Sequence, residues 1–147
     1  GDRLLVDGED ITDSLRRPEV ERGVSLIAKV SGVRSALVSQ QRAVAEADPT
    51  VVVGRDIGTV VLPDARVKIY LSASVEVRAQ RRYRELVDGG VPTDYRQVVD
   101  ELVRRDGIDS ARADSPLRPA EDAYLIETGE LELLEVVVKI ITFVESC

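Results

Sequence analysis

The sequence predicts an α/β protein with a parallel sheet. From residue 50 onward, short apolar runs suited to buried strands alternate with longer segments whose apolar residues recur at helical spacing. Such alternation is typical of strand–helix–strand units, in which successive strands run parallel. The 147 residues are 44% hydrophobic and 32% charged, which fits an ordinary globular chain with room for a sizeable core.

Charge and rare residue types narrow the function. The formal net charge of −7 gives no bulk electrostatic support for binding nucleic acid, so we expect no nucleic-acid partner. The sequence has no histidine, the commonest metal ligand in proteins, and we predict no metal ligand from the protein itself. A single cysteine, Cys147, excludes an internal disulfide, and no apolar run is long enough to span a bilayer. We therefore expect a cytoplasmic protein with no membrane partner.

Residues 1–49 predict a hairpin and two helices. Two short strands are expected on either side of the Asp7-Gly8 turn. Pro18 suits the first position of a helix that runs to about Val30. A second amphipathic helix follows Ser31-Gly32 and ends at Asp48-Pro49, because the residue before a proline avoids helical backbone.

The remainder of the chain predicts three strands and three helices. Strands are expected at 50–53, 67–71 and 123–126. Helices are expected from Ser74 to about Asp88, from Asp94 to about Arg105, and over 131–144. The last helix is apolar on most sides, which predicts that it is buried. A polar loop is expected over 107–122.

The stretch from Val51 to Val61 carries the most informative chemistry. Three valines run into Gly54-Arg55-Asp56, which places charge at the carboxyl end of an expected strand, where open α/β sheets bind ligands. Arg55 suits a phosphate because its planar fork donates two parallel hydrogen bonds, and an ionised Asp56 suits an amino or hydroxyl group. Taken alone, the stretch equally fits a strand, a tight turn and a solvated ion pair.

Four stretches, in this order, resemble the bacterial cytidylate kinases, which transfer a phosphoryl group from ATP to CMP or dCMP. They are Pro18-Glu19-Val20…Ser25…Val33-Arg34; Gly54 to Ala65; Arg78…Arg81-Arg82; and Arg105-Asp106…Asp109-Ser110-Ala111-Arg112…Ser115 to Ala120. The resemblance implies a P-loop nucleoside monophosphate kinase fold with a parallel sheet, here missing its first core strands. It also implies that residues 1–47 form the insert that binds the monophosphate, that 48–147 form the remainder of the core, and that the lid lies at about 78–116.

The same resemblance implies a binding site for CMP. Ser25 and Arg34 would hydrogen-bond the cytosine edge, and Asp56 would accept from its exocyclic amine, which selects cytosine over uracil. The phosphate would be held by Arg55 and Arg105, the ribose hydroxyls by Asp109, and Arg112 would support the monophosphate site.

ATP binding and catalysis follow from the same comparison. Arg78 and Arg82 resemble lid arginines that contact ATP, with Mg²⁺ bridging the ATP phosphates. Arg55, Arg82 and Arg105 would stabilise the phosphoryl group during transfer. Each of these charged residues, considered singly, also fits a solvated surface or a local ion pair of little energetic value.

Two departures from the family pattern limit the expected activity. The sequence contains no Gly-x-x-x-x-Gly-Lys-Ser/Thr motif, and Val53 stands where the family has an acidic residue that helps to order the hydration of Mg²⁺. We therefore expect a truncated kinase that is weakly active or inactive alone. Its strands would lack a shared neighbour and leave apolar surface exposed, which favours self-association or a partner that supplies the missing segment.

Two alternatives to this interpretation stay open. A non-catalytic CMP-binding or interaction module derived from such a kinase would lack the ATP half of the site. A sister kinase could prefer UMP or AMP, although Asp56 with Ser25 and Arg34 favours cytosine.

Overall fold

The structure, a computed structural model, describes residues 3–28, 30–111 and 116–147. For residues 16, 18, 19, 21, 22 and 25 it describes the backbone alone. The chain divides into two compact units, residues 1–40 and 41–147.

The first unit contains a hairpin and helices. Strand β1 (Leu5–Val6) pairs antiparallel with β2 (Glu9–Asp10). Asp7 and Gly8 between them have φ angles of 50° and 85°, the left-handed backbone that an Asp-Gly hairpin turn uses. Helix α1 (Pro18–Ile27) has Pro18 at its first position, and α2 (Ser31–Ala47) begins in this unit. The predicted hairpin and both helices are confirmed, with α1 ending slightly earlier than expected.

The second unit is built on a pair of parallel strands. Strand β3 (Ile69–Ser72) pairs with β4 (Tyr124–Glu127), with Ser72 opposite Glu127 at the carboxyl ends. Lys68 Nζ lies 2.7 Å from Asp122 Oδ2 just before the two strands begin. The α/β class and the parallel strand direction are confirmed.

Helices α3 (Val75–Asp88) and α4 (Tyr95–Ser110) pack against each other beside the strands. The predicted caps are present: Ser74 Oγ accepts from the Val77 N–H at 3.3 Å, and Asp94 Oδ1 accepts from the Arg96 N–H at 2.8 Å. The rings of Tyr83 and Tyr95 meet edge to face, with centroids 5.9 Å apart.

Helix α4 extends beyond its predicted end. The sequence predicts a stop near Arg105 and a loop from Gly107, but the helix continues to Ser110. A single glycine inside a helix costs only about 1 kcal/mol relative to alanine, so Gly107 does not end it. Asp106 and Asp109 therefore lie on a helix rather than in a loop.

The predicted strand at 50–53 is wrong. In the described part of the chain this segment pairs with no strand, and the side chains of Val51 and Val53 are 92% and 91% exposed. A strand needs a neighbour to satisfy its backbone, and β3 and β4 pair only with each other. The expectation that apolar surface would remain exposed is confirmed.

The hydrophobic core is smaller than the chain length predicts. Among the described residues, the buried apolar side chains are Val61, Ala79, Val98, Ile126 and Val136. The closing helix α5 (Leu133–Glu145) was expected to be buried, but of its side chains only Val136 is, and Leu133 and Leu134 are each 77% exposed. Two strands offer too little sheet surface to cover all the apolar sides of such a helix. Within residues 3–28, 30–111 and 116–147, no helix combines the length and apolar character needed to cross a membrane.

Glu127 makes the stability of the strand pair dependent on pH. Its carboxylate accepts hydrogen bonds from Ser72 Oγ at 2.6 Å and from the Gly129 N–H at 2.9 Å, which hold the pKa of Glu127 below its ordinary value. Because the folded pKa is lowered, this stabilisation is present above the pKa of the unfolded chain and is lost as pH falls through the folded pKa.

We expect Glu127→Gln to lower the midpoint of thermal unfolding at neutral pH, and the difference from wild type to shrink as the pH is lowered to about 3. Glu130→Gln, which removes an exposed carboxylate nearby, is the matched control and is expected to change the midpoint little. A difference for Glu127→Gln that stays constant down to the lowest pH would contradict this assignment.

Candidate phosphate-binding site

Residues 54–61 form a turn that fixes the position of Arg55 and Asp56. Ile57–Val61 make one turn of π-helix, in which the Asp56 carbonyl accepts from the Val60 N–H at 2.9 Å. Val61 is fully buried and anchors the turn. The guanidinium of Arg42 donates to the carbonyls of Val60 and Val61, each at 2.7 Å, and so satisfies the end of the turn.

Gly54 closely approaches the side chain of Ile57 within this turn. A Cβ added there would lie 2.7 Å from Cγ1 of Ile57, nearer than nonbonded carbon atoms come. The carboxylate of Asp56 is buried, with 6% of the residue exposed. The sequence predicts a tight turn here, and the structure shows a helical turn at Ile57–Val61.

Three arginines and two aspartates of the second unit form a connected cluster, the arginine cluster. Arg55 Nη1 lies 2.9 Å from Asp106 Oδ1 and 2.6 Å from Asp109 Oδ2. Arg78 Nη1 lies 2.7 Å from the other oxygen of Asp106. Arg105 Nε lies 3.9 Å from Asp109 Oδ2, one helical turn away. The cluster thus joins the 54–61 turn, α3 and α4.

Burial differs sharply among the members of the arginine cluster. The side chain of Asp109 is 1% exposed, whereas those of Arg55, Arg78 and Arg105 are 28%, 32% and 34% exposed. The Asp109 carboxylate therefore lies on the inner side, whereas the Asp106 side chain, 22% exposed, is nearly as accessible as the arginines. Three arginines against two carboxylates leave an excess of positive charge on the cluster, which suits an anion.

The predicted site residues fall into three groups. Arg55, Arg78, Arg105 and Asp109 come together in the arginine cluster, and Asp56 immediately follows Arg55. Arg82, on α3, pairs with Glu85 at 2.8 Å. Arg34 is half-buried on α2, and Ser25 lies on α1 without a described side chain. Arg112 lies outside the described residues.

Asp106 is the site residue to which the sequence assigned no role. It is part of the Arg105-Asp106 motif. Because α4 is expected to end at Arg105, the sequence does not predict that Asp106 and Asp109 lie on the same helix. Because α4 continues, Asp106 and Asp109 are three residues apart on one helix and share a face. A helix predicted to continue through Gly107 places both aspartates on one face.

A second polar contact lies at the ends of the strands. Arg81 Nη1 donates to Oγ1 of the buried Thr128 at 3.0 Å, and that hydroxyl donates to the Ser72 carbonyl at 2.9 Å. These bonds connect α3 to both strands. A groove of about 760 Å³, lined by Arg81, Arg84, Gly129 and Val136 among others, lies beside them between α3 and α5.

The described acidic and cysteine side chains do not form a metal site. In the part of the chain that the structure describes, no three acidic or cysteine side chains are grouped as metal ligands would be. The cluster carboxylates are paired with arginines instead. Together the fold and the site define an α/β protein with an arginine cluster suited to phosphate groups.

Comparison with known proteins identifies the family. The family model described as cytidylate kinase matches residues 1–146. The cytidylate kinase of Desulforamulus reducens is 51% identical over 143 residues, covering 97% of this chain and 64% of that protein. Those of Bacillus velezensis and Bacillus subtilis are 49% and 47% identical, each covering 99% of this chain and 65% of the relative. The chain belongs to the cytidylate kinase family, and it spans slightly under two thirds of the length of these curated relatives.

The buried carboxylate of Asp109 is expected to be the most sensitive part of the arginine cluster. Asp109→Asn removes the charge that two arginines face, while Arg55 stays partly solvated. We expect the free energy of unfolding to fall by about 1–3 kcal/mol, because breaking a buried ion-pair network lies toward the upper end of ordinary single-substitution effects.

Chemical denaturation of the Asp109→Asn protein measures this loss. Asp100→Asn, an exposed change of the same chemistry on the same helix, is the control and is expected to stay within about 0.5 kcal/mol of wild type. Equal effects of the two substitutions would show that Asp109 is not held as described.

Proposed function

We propose that this chain carries the CMP-binding and lid portions of a kinase that transfers a phosphoryl group from ATP to CMP or dCMP. The observation that carries the proposal is the arginine cluster, which brings together residues from three separate motifs of the sequence. Family membership at about half identity supports the reaction class. The proposed fold is that of the P-loop nucleoside monophosphate kinases, with residues 1–47 as the monophosphate insert, 48–147 as the remainder of the core and the lid at about 78–116.

The proposed roles divide the arginines between the two substrates. Arg55 and Arg105 bind the CMP phosphate, with Arg112 in support, because guanidinium forks match phosphate oxygens in pairs. Arg78 and Arg82 contact ATP from α3. Asp109 would bind the ribose, although its carboxylate is 1% exposed and already faces Arg55. A ribose role for Asp109 therefore requires the cluster to open when CMP binds.

Base recognition is proposed to depend on Asp56, with Ser25 and Arg34. A buried carboxylate accepts a hydrogen bond from the exocyclic amine of cytosine, whereas uracil presents a carbonyl oxygen at that position. The burial of Asp56 supports this role, because an acceptor shielded from water discriminates more strongly than a solvated one.

The chemistry proposed for the protein is alignment and charge neutralisation. Phosphoryl transfer needs little covalent work from side chains, and arginines stabilise the charge on the transferred group. Mg²⁺ would arrive with ATP and be held chiefly by its phosphates, as this ion commonly is in kinases. Arg55, Arg82 and Arg105 are the proposed catalytic residues.

Thermal unfolding with CMP, UMP or no nucleotide tests the binding proposal. A ligand that binds only the folded chain stabilises it by about 2.7 kcal/mol at a concentration 100-fold above its dissociation constant. We expect CMP to raise the midpoint more than UMP does. Asp56→Asn is expected to weaken CMP binding by about tenfold or more and to reduce the preference for CMP.

The matched control for Asp56→Asn is Asp64→Asn, which changes an exposed carboxylate shortly after the same turn. It is expected to keep the wild-type affinity and selectivity. Equal shifts with CMP and UMP in the wild-type chain would count against a cytosine site.

A non-catalytic CMP-binding module is the second candidate function. It is favoured by the absence of a Gly-x-x-x-x-Gly-Lys-Ser/Thr motif from these 147 residues and by valine at position 53. The 147-residue chain is assayed with ATP and CMP by coupled detection of ADP, in parallel with the kinase of Bacillus subtilis. We expect its turnover to be slower by about 100-fold or more, because several positioned phosphate contacts are lost. Comparable rates would exclude the non-catalytic module.

A further inference from the structure

Asp106 occupies an unusual place in the arginine cluster, because it links two arginines that come from different motifs. One carboxylate oxygen lies 2.9 Å from Arg55 Nη1 and the other lies 2.7 Å from Arg78 Nη1. Arg55 belongs to the 54–61 turn and Arg78 to α3, while Asp106 itself lies on α4. A single side chain therefore sets the separation of two guanidinium groups on two different elements.

The described contacts of Arg55 and Arg78 do not use all the N–H groups of either guanidinium. The described contacts of Arg55 all use Nη1, which lies between Asp106 and Asp109. Arg78 uses Nη1 for Asp106 and donates from Nε to the Ala73 carbonyl at 3.1 Å. Because a guanidinium group carries five N–H donors in a rigid plane, fixing one nitrogen orients the others.

We propose that Asp106 is a positioning residue, which holds Arg55 and Arg78 at a fixed separation so that their remaining N–H groups face the place where the phosphates of the two substrates meet. The inference rests on the proposed function, in which Arg55 serves the CMP phosphate and Arg78 serves ATP. Phosphoryl transfer requires these two phosphates to meet, so a fixed separation of the two arginines contributes directly to their alignment.

Alternatively, the Asp106 carboxylate only competes with the anion for the arginines. The two roles predict opposite changes in CMP affinity when Asp106 is replaced by asparagine. Removing a negative charge beside an anion site strengthens anion binding by Coulomb's law if the carboxylate only competes. If the carboxylate orients the arginines, the same removal weakens binding, because the guanidinium groups lose their fixed separation. The sign of the change in CMP affinity therefore decides between them.

The experiment compares CMP and cytidine binding to wild type, Asp106→Asn and Asp100→Asn by titration calorimetry. Asp100→Asn makes the same change in net charge at an exposed position of the same helix. We expect Asp106→Asn to weaken CMP binding by about tenfold while cytidine binding stays unchanged, because cytidine lacks the phosphate. Asp106→Glu is expected to recover part of the affinity.

The inference is overturned if Asp106→Asn binds CMP more tightly than wild type or with the same affinity. Equal weakening of CMP and cytidine also overturns it, since that pattern indicates general loss of structure. Asp100→Asn must match wild type for both ligands.

A second measurement keeps this test separate from the proposed function. Nitrogen-15 NMR of the arginine side chains without nucleotide is expected to show slow rotation for Arg55 and Arg78 in wild type, and faster rotation in Asp106→Asn. If wild type binds neither CMP nor cytidine, the proposed function fails while these signals still decide whether Asp106 orients the arginines. Unchanged arginine signals in Asp106→Asn would overturn the inference whatever CMP does.

Discussion

A carboxylate taken out of water must be neutralised, and Asp109 imposes this requirement on the second unit. Its side chain is 1% exposed and lies 2.6 Å from Arg55 Nη1. A buried ion pair of this kind adds little net stability, but removal of one partner is costly because the other charge is left uncompensated. Its main consequence is geometric: Arg55 must stay at α4, and the 54–61 turn must stay with it.

The small core makes this polar link more important than it would be in an ordinary domain. Few apolar side chains are buried among the described residues, and much of α5 and the 50–53 segment is exposed. Apolar burial therefore cannot alone fix the positions of α3, α4 and the 54–61 turn relative to the strands. Directional contacts do this instead, through Asp106 and Asp109 on one side and Arg81 with Thr128 on the other.

Features that depend on local sequence were predictable, and features that depend on distant neighbours were not. The Asp7-Gly8 turn and the caps at Ser74 and Asp94 follow from backbone and side-chain preferences within a few residues. The predictions of a strand at 50–53 and of a buried α5 were wrong, because both features need sheet neighbours that the described residues do not provide. The prediction of parallel strands was correct because β3 and β4 are consecutive strands in the chain, separated by helices.

The candidate site shows the same division between local and distant information. Arg55, Arg78, Arg105 and Asp109 were identified from motifs, but their mutual contacts could not be derived from spacing because they come from three elements. Asp106 was missed for a local reason. Gly107 predicts the end of a helix, yet its cost of about 1 kcal/mol is small beside the packing of α4 on α3.

The proposed phosphate site contains three arginines, and like charges held close together repel each other. In this chain the conflict is reduced by two carboxylates, each of which contacts two of the guanidinium groups. Asp109 is buried, whereas Asp106, at 22% exposed, is only slightly less accessible than the arginines it contacts. The arrangement keeps the arginines together and leaves one excess positive charge on the cluster. Under the proposed function, a phosphate would join an existing network of charges, and the arginines would not first have to be brought together.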